Sequence, residues 1–289
     1  MKTAVAVGNF DGVHLGHIHL IRTLKGEAEK RGLTPIVITF NPHPALVLGK
    51  NGNFCRLSTA EEKREIIENQ LGVKVEVIPF MEEFAKLPPE VFVEEYLINR
   101  YGAKLVVVGY DWRFGRDAKG DLRLVEMICS SKGCEVIEVP PYVVGGKVVS
   151  SSLIRELLRE ARLKEASLFL GHPYWVRRTI VRGRGFGKKI GFPTLNMVDV
   201  DRLCLPDGVY AVSCDGHPAV ANLGYAPTLK GERRTLEVHI LRDSFEVSPN
   251  PKVVFHRFIR PEMSFKVVRT LIKQIENDIE TAKWTFYAA

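Results

Sequence analysis

The first half of the chain alternates short β-branched runs with stretches whose apolar residues recur at helical spacing. The runs are "TAVAV", "PIVITF", "VKVEVIP", "KLVVVG" and "CEVIEVP", and the helical stretches cover 16–31, a segment from Ser58, 89–101 and 121–132. Ser58 with Glu61 predicts a capping box, and Gly102 predicts a helix end. This alternation predicts an α/β fold with a doubly wound, Rossmann-like parallel sheet and helices on both faces.

The second half has a different pattern, with strand-like runs separated by turn residues. These runs are "WVRRTIVRG", "GVYAVSC", "PAVANLG", "TLEVHIL" and "PKVVFHRFI", and Asp215-Gly216 is typical of a hairpin turn. They predict a small antiparallel β-barrel. A C-terminal helix with Ser264 as N-cap follows, and its expected apolar face holds Phe265, Val268, Leu271, Ile272, Ile275 and Ile279. We expect two domains, 1–158 and 159–289, with the boundary between about 155 and 172.

Composition adds limits on function class. The 289 residues are 45% hydrophobic and 26% charged, as in soluble globular proteins. The apolar runs are too short for a membrane span and the N-terminal run is too soon interrupted for a secretory signal, so we expect a cytoplasmic enzyme. The five cysteines are scattered without a CxxC pair, which argues against a disulfide framework and a zinc ribbon. A net charge of +7 suits an anionic metabolite and a nucleic acid equally well.

A glycine-rich stretch, "GNFDGVHLGH", leaves the first predicted strand and enters the first predicted helix. In an open α/β sheet this is where a phosphate binds, at a helix N-terminus. His14 and His17 flank Gly16 there, so both imidazoles are expected to face one anion. Alternatively, these histidines cap or pack against the helix, or ligate a metal, although the sequence shows no third ligand nearby at a recognisable spacing.

The stretch "HLGH" resembles the HxGH signature of the nucleotidylyl transferase superfamily, and "GNFDGVHLGH" is similar to the version in prokaryotic FAD synthetases. "VSSSLIR", from Val149, resembles the ISSTxIR motif of that family, with Ser152 in place of threonine. The resemblance implies that His14, His17 and Arg155 stabilise charge on ATP phosphates while an oxygen of FMN attacks the α-phosphorus. By the same resemblance, Asn41 lies at the flavin, in a position where the family usually has an acidic residue. The implied nucleotide contacts are Gly8, Phe10, Asp11, Gly16, Asp111, Ser150, Ser151 and Ser152.

"VRGRGFGKKIGFPTLN", from Val181, interleaves glycines with cations, a pattern that favours contact with phosphates or with a nucleic acid. Its end resembles the PTxN motif of riboflavin kinases, which implies that Thr194 and Asn196 hold Mg²⁺ with ATP. Glu237 in "RTLEVHIL" matches the catalytic base of that family. The implied nucleotide contacts are Gly183, Lys189, Gly191, Pro193, Thr194 and Asn196, and the implied flavin contacts, in "RPEMSF", are Arg260, Glu262 and Phe265.

Together the two resemblances imply a bifunctional FAD synthetase that converts riboflavin to FMN and FMN to FAD, with ATP, Mg²⁺ and small-molecule substrates. We expect no nucleic-acid or membrane partner, and a monomer or weak self-association. One alternative is another HxGH adenylyltransferase with a different acceptor, although no KMSKS-like motif is present. Another is a nucleic-acid-binding module built on 177–189, which has six basic residues, Arg184 included, and no acidic one, although no nucleic-acid fold is recognisable.

Overall fold

The computed structural model describes residues 2–49, 54–183, 185–228 and 231–287, except the side chains of 226–228, 231 and 232. Arg184 therefore lies outside the described residues. The chain forms two compact units, Met1–Ser151 and Ser152–Ala289. The units divide a few residues before the functional boundary that the sequence places after 158, and that boundary stays a prediction.

A parallel sheet forms the centre of the first unit. Its strands are β1 (Thr3–Val7), β2 (Thr34–Asn41), β3 (Lys74–Pro79), β4 (Ala103–Gly109) and β5 (Glu135–Val139), in the order β3-β2-β1-β4-β5. A short hairpin of β6 (Val143–Val144) and β7 (Lys147–Val148) follows. Strand order reverses between β1 and β4, and ligands bind beyond the carboxyl ends of the strands at such a point. The loops after β1 and β4 are therefore placed to form a site.

In the part of the chain that the structure describes, six α-helices flank this sheet. They are α1 (Leu15–Arg31), α2 (Pro44–Val47), α3 (Ala60–Ile66), α4 (Glu82–Ala85), α5 (Pro89–Val91) and α6 (Leu122–Ser131). The helices α3 and α5 continue with π-type hydrogen bonding over Ile67–Leu71 and Phe92–Arg100. In the core, β-branched residues of the strands, such as Val5, Ile38 and Val106, pack against apolar residues of the helices, such as Leu97 and Ile128.

The capping box of α3 lies one residue later than the sequence predicts. Thr59 Oγ1 accepts a hydrogen bond from the Glu62 amide at 3.2 Å, and the Glu62 carboxylate accepts one from the Thr59 amide at 2.7 Å. The amide of Ser58 instead donates to the buried carboxylate of Asp11 at 3.0 Å. The predicted box of Ser58 with Glu61 is therefore wrong, because the loop after β1 uses the polar groups of Ser58.

The second unit contains the helices α7 (Ser151–Arg159), which begins at the division, and α8 (Leu163–Leu170), followed by a seven-stranded antiparallel sheet. The strands are β8 (Trp175–Arg177), β9 (Ile180–Val181), β10 (Leu195–Met197), β11 (Gly208–Cys214), β12 (His217–Thr228), β13 (Gly231–Ile240) and β14 (Lys252–Pro261), and α9 (Phe186–Lys189) lies between β9 and β10. The order β8-β14-β11-β12-β13-β10-β9 puts β8 and β9 at opposite edges, although only two residues separate them. The sheet therefore curls towards a barrel. Asp215 and Gly216, with φ of 44° and 83°, form the predicted hairpin turn.

The last helix, α10 (Val268–Tyr287), packs against β11, β12 and β14. Ser264 does not cap it, since the helix begins four residues later, and the neighbouring Glu262, Met263 and Phe265 line a cavity. The predicted cap is wrong because the residues around Ser264 line the cavity instead of forming the first turn of the helix. Leu271, Ile275 and Ile279 of the predicted face do turn towards the sheet. The predicted fold class is confirmed, and no helix in the described part of the chain is long and apolar enough to cross a membrane.

Candidate active sites

His14 and His17 stack on each other at the N-terminus of α1. The ring centroids are 3.5 Å apart with 16° between the planes, and His14 caps the helix by accepting a hydrogen bond from the His17 amide through Nδ1 at 3.3 Å. A Cβ on Gly16 would lie 3.2 Å from the His14 ring, so glycine allows the close approach. The ring of buried Phe10 meets the His17 ring edge-on at 5.2 Å. The structure thus combines the capping alternative with a shared histidine face at a helix N-terminus, where anions are favoured.

Hydrogen bonds of buried polar groups hold the loop between β1 and α1 in place. The Asp11 carboxylate, 1% exposed, accepts hydrogen bonds from the amides of Leu57 and Ser58, and Ser58 Oγ accepts one from the Gly12 amide at 2.8 Å. Ser151 Oγ donates to the Asp11 carbonyl at 3.0 Å. The Asp11 side chain is therefore committed to the loop's own structure, and Ser151 is brought to the histidine loop.

A cavity of about 490 Å³ lies beside this loop at the carboxyl ends of the strands, within the range of small-molecule sites. Gly8 and Asn9 line it. Trp112 and Phe114, stacked at 4.2 Å, belong to its other walls, and the six aromatic lining residues are Phe40, Phe80, Phe84, Phe92, Trp112 and Phe114. The sequence analysis missed this lining, although "PFMEEFAKLPPEVF" carries part of it.

The remaining predicted residues of the nucleotide site are more dispersed. Asp111 follows β4 and is exposed, and its Oδ1 lies 3.5 Å from the position of a Cβ on Gly109. Asn41, at the end of β2, is exposed and does not line the cavity. Ser150 is half-buried just before α7. Ser152 and Arg155 belong to the second unit, where their spacing places them on one face of α7.

The second unit contains a larger cavity, of about 770 Å³, enclosed by the barrel strands, the loop before α9, and α10. A single row of register partners crosses its wall from β9 through β10, β13, β12 and β11 to β14. The row is Val181, Asn196, Glu237, Asn222, Val209 and Arg260, and all six residues line the cavity. Because directly opposed residues have Cβ atoms about 5 Å apart, Asn196 and Asn222 flank the Glu237 carboxylate.

Asn196 and Thr194 form one polar group at this wall. Asn196 Nδ2 donates to the Thr194 carbonyl at 3.3 Å and lies 3.5 Å from Thr194 Oγ1. A Cβ on Gly183 would lie 2.3 Å from Asn196 Nδ2, so the glycine-rich segment can pack here only without a side chain. Pro193 is fixed by its carbonyl, which lies 2.8 Å from His239 Nδ1. The predicted PTxN residues are therefore held in one rigid turn.

Arg260 and Glu262 lie at the other end of the same cavity. The Arg260 guanidinium makes a bidentate ion pair with Asp278 of α10, at 2.9 Å from Nε to Oδ1 and 2.7 Å from NH2 to Oδ2. Asp278 is 3% exposed and also accepts a hydrogen bond from Gln274. The sequence analysis missed Asp278 as the buried partner of Arg260. Glu262 Oε1 accepts from Asn222 Nδ2 at 3.3 Å, and Phe265 lines the cavity.

The basic segment 177–189 does not form one charged surface within its described residues. Arg178 is 5% exposed and its Nε donates to the Asp199 carbonyl at 2.9 Å. Arg182 lines the cavity, while Lys189, on α9, and Gly191 are exposed and do not line it. In the described residues no group of three or more His, Cys, Asp or Glu side chains could hold a metal ion.

Comparisons with known proteins agree with this two-site arrangement. The family model for FAD synthetase matches residues 1–153, and that for riboflavin kinase matches residues 170–286. The chain is 36% identical to "Bifunctional riboflavin kinase/FMN adenylyltransferase" of Bacillus subtilis, over 97% of this chain and 92% of that protein, and 34% identical to the protein of the same name in Escherichia coli, over 98% and 92%.

A crystal structure described as a macrolide-efflux protein from Streptococcus pneumoniae superposes with a TM-score of 0.80 at 32% identity, covering 98% of this chain and 94% of that one. That description refers to the other protein, whereas both family models and the curated relatives point to a transferase. The recognition made from the HxGH and PTxN motifs is confirmed. The chain belongs to the family of bifunctional riboflavin kinase/FMN adenylyltransferases.

Proposed function

We propose that the first unit adenylylates FMN and that the second unit phosphorylates riboflavin. In the first reaction an oxygen of the FMN phosphate attacks the α-phosphorus of ATP, and pyrophosphate leaves. His14 and His17 bind the phosphates and neutralise the charge that develops on them, since such transfer depends on positioning and electrostatics more than on covalent catalysis. Their stacked rings at the start of α1, beside an aromatic cavity sized for a flat ring system, support this assignment.

In the second reaction the 5′-hydroxyl of riboflavin attacks the γ-phosphorus of ATP, and Glu237 accepts the hydroxyl proton as general base. The observation that carries this proposal is the row across the barrel, because it aligns the PTxN turn, the carboxylate and Arg260 along one cavity wall. Arg260 lies three strand spacings from Glu237, about 14 Å measured along the curved sheet, so the flavin ring can lie between the reacting hydroxyl and the ion pair.

Thr194 and Asn196 fit a magnesium ion bound together with ATP. Their hydroxyl and amide oxygens are hard donors at one point of the cavity wall, and Mg²⁺ commonly takes its other ligands from water and substrate phosphates. When bound, the ion neutralises phosphate charge. Contacts of the Asn196 amide and of the Pro193 carbonyl hold the turn that carries these residues, which supports this assignment.

The test is incubation of the purified chain with ATP, MgCl2 and either riboflavin or FMN, with the flavins separated over time. We expect Glu237→Gln to abolish FMN formation and to leave conversion of FMN to FAD intact, and His14→Asn to do the reverse. Glu246→Gln, which removes an exposed carboxylate outside the cavity, is the matched control and should change neither reaction. Equal loss of both reactions in Glu237→Gln would contradict the two-site assignment.

The remaining expectations are also part of this proposal. The functional domains are 1–158 and 159–289, and the enzyme acts in the cytoplasm as a monomer or a weakly associating chain without a nucleic-acid partner. The burial of Arg178 supports the last point, since a guanidinium that donates to the Asp199 carbonyl inside the unit is withdrawn from any nucleic-acid surface. Specific, steeply salt-dependent binding of RNA or DNA that ATP does not displace would contradict it.

A further inference from the structure

The loop that presents the two histidines has an unfavourable backbone conformation. Phe10 and Val13 have φ of 46° and 42°, and Gly12 has 83°. For residues with a side chain such angles cost free energy, and they persist only where the surrounding structure holds them. Val13 directly precedes His14, so whatever holds the loop also determines where the imidazoles lie.

A buried ammonium group lies behind this loop. Lys63, on α3, is 2% exposed, and its Nζ donates to Thr39 Oγ1 at 3.3 Å. Thr39, at the carboxyl end of β2, donates in turn to the Asn9 carbonyl at 3.1 Å. The ammonium is also attracted by the carboxylate of Asp11, whose hydrogen bonds fix the loop to the segment before α3.

A buried lysine is costly unless its charge is compensated, so its place here needs a reason. Among the described residues, Lys63 is linked to the loop on both sides of Phe10, indirectly to Asn9 through Thr39 and by charge attraction to Asp11. None of the residues lining the aromatic cavity is Lys63. Because its side chain is only 2% exposed, we place the action of Lys63 on the loop and not on a ligand.

We propose that Lys63 is a positioning residue of the first active site, whose buried positive charge holds the strained loop in the conformation that presents His14 and His17. The inference rests on the proposed function, since it assumes that these histidines bind the nucleotide phosphates. It predicts that neutralising the charge impairs adenylyl transfer while riboflavin phosphorylation, in the other unit, continues.

The charge is lost within an accessible pH range. Burial lowers the pKa of Lys63 to about 8, against attraction from Asp11 and Glu61 and with a further lowering by Arg56. Above pH 8 the folded chain loses this proton, while the unfolded chain keeps it up to the ordinary lysine pKa of 10.5. The unfolded state then binds more protons, so the Lys63 contribution makes unfolding less favourable as pH rises. Adenylyl transfer should therefore decline over a range in which this contribution to stability increases.

The experiment measures kcat and KM for ATP of both reactions on the same preparations of wild type, Lys63→Met and the matched control Lys25→Met. Lys25 lies on α1 and donates to the Leu71 carbonyl, away from the histidine loop. We expect Lys63→Met to reduce kcat/KM of FAD formation by about 10- to 100-fold, as for displaced phosphate ligands. The alkaline decline above pH 8 should disappear, and riboflavin phosphorylation and Lys25→Met should match wild type.

The inference is overturned if Lys63→Met has normal kcat/KM and an unchanged pH profile. Whatever its melting temperature, that result would mean that Lys63 has only a structural role. If His17→Asn also leaves FAD formation unchanged, the proposed function has failed instead. If Lys63→Met does not fold, the test uses Thr39→Val instead. This variant removes the hydroxyl that links Lys63 to Asn9 and changes the shape of the side chain little. Loss of FAD formation in a folded Thr39→Val supports the inference, and normal activity overturns it.

Discussion

Replacing Gly183 by alanine should inactivate the kinase site by displacing a single side chain. The added Cβ would lie 2.3 Å from Asn196 Nδ2 and 2.5 Å from its Cγ, whereas ordinary contact begins at 3.4 Å. The backbone of Gly183 does not itself require glycine, since its φ is not in the left-handed region. The contact must therefore be relieved by moving Asn196 by about 1 Å, the difference between 3.4 and 2.3 Å.

A displacement of this size at a phosphate-positioning group costs about 100-fold in rate. We expect Gly183→Ala to lower kcat/KM for FMN formation by about that factor. Its effect on stability should be near 1 kcal/mol, the cost of an off-rotamer side chain, because Asn196 is only partly buried. FAD formation from FMN should remain at the wild-type rate, since the change lies in the other unit.

The assay is steady-state flavin formation from riboflavin, together with thermal unfolding of the same sample. Gly26→Ala is the matched control, because a Cβ there meets nothing within 4 Å. Wild-type FMN formation in Gly183→Ala would refute the reasoning, since it would mean that the position of Asn196 does not matter to phosphoryl transfer.

Two further predictions concern stability and the flavin end of the kinase cavity. Asp278→Asn leaves the Arg260 guanidinium without its buried counter-charge, so denaturant unfolding should show a loss of about 3 kcal/mol, with a raised KM for riboflavin. An unchanged unfolding midpoint would contradict the role given to this pair. Thr59→Ala removes the capping box with Glu62 and should cost about 1 kcal/mol, measured in the same way, whereas no loss would mean that the cap of α3 is dispensable.

Much of the fold follows from periodicity along the chain. Each predicted strand of the first half is present. The central strands β1 and β4 are nearly continuous apolar runs because both faces of the sheet are covered there, whereas the edge strands β3 and β5 also carry charged residues. The hairpin at Asp215 and Gly216 was predicted by the preference of these residues for positive φ. The two errors, at Ser58 and Ser264, fall where a side chain or segment is used by a distant part of its unit, which local propensity does not register.

The sequence by itself identified the site residues that are close together in the chain, because a short spacing fixes their relative positions. His14 and His17 share a helix face because they are three residues apart, and Thr194 and Asn196 meet because one short turn carries both. These local motifs identified the family and both candidate sites.

Only the tertiary structure decided which distant residues meet. The row that joins Asn196, Glu237, Asn222 and Arg260 depends on strand register, which a shift of one residue would turn to the other face of the sheet. Asp278 and Lys63 look like ordinary surface charges in the sequence, yet both are buried. Folding brings Asp278 to the Arg260 guanidinium and Lys63 near the Asp11 carboxylate, and the free energy of these attractions depends on distances that the order of residues does not contain.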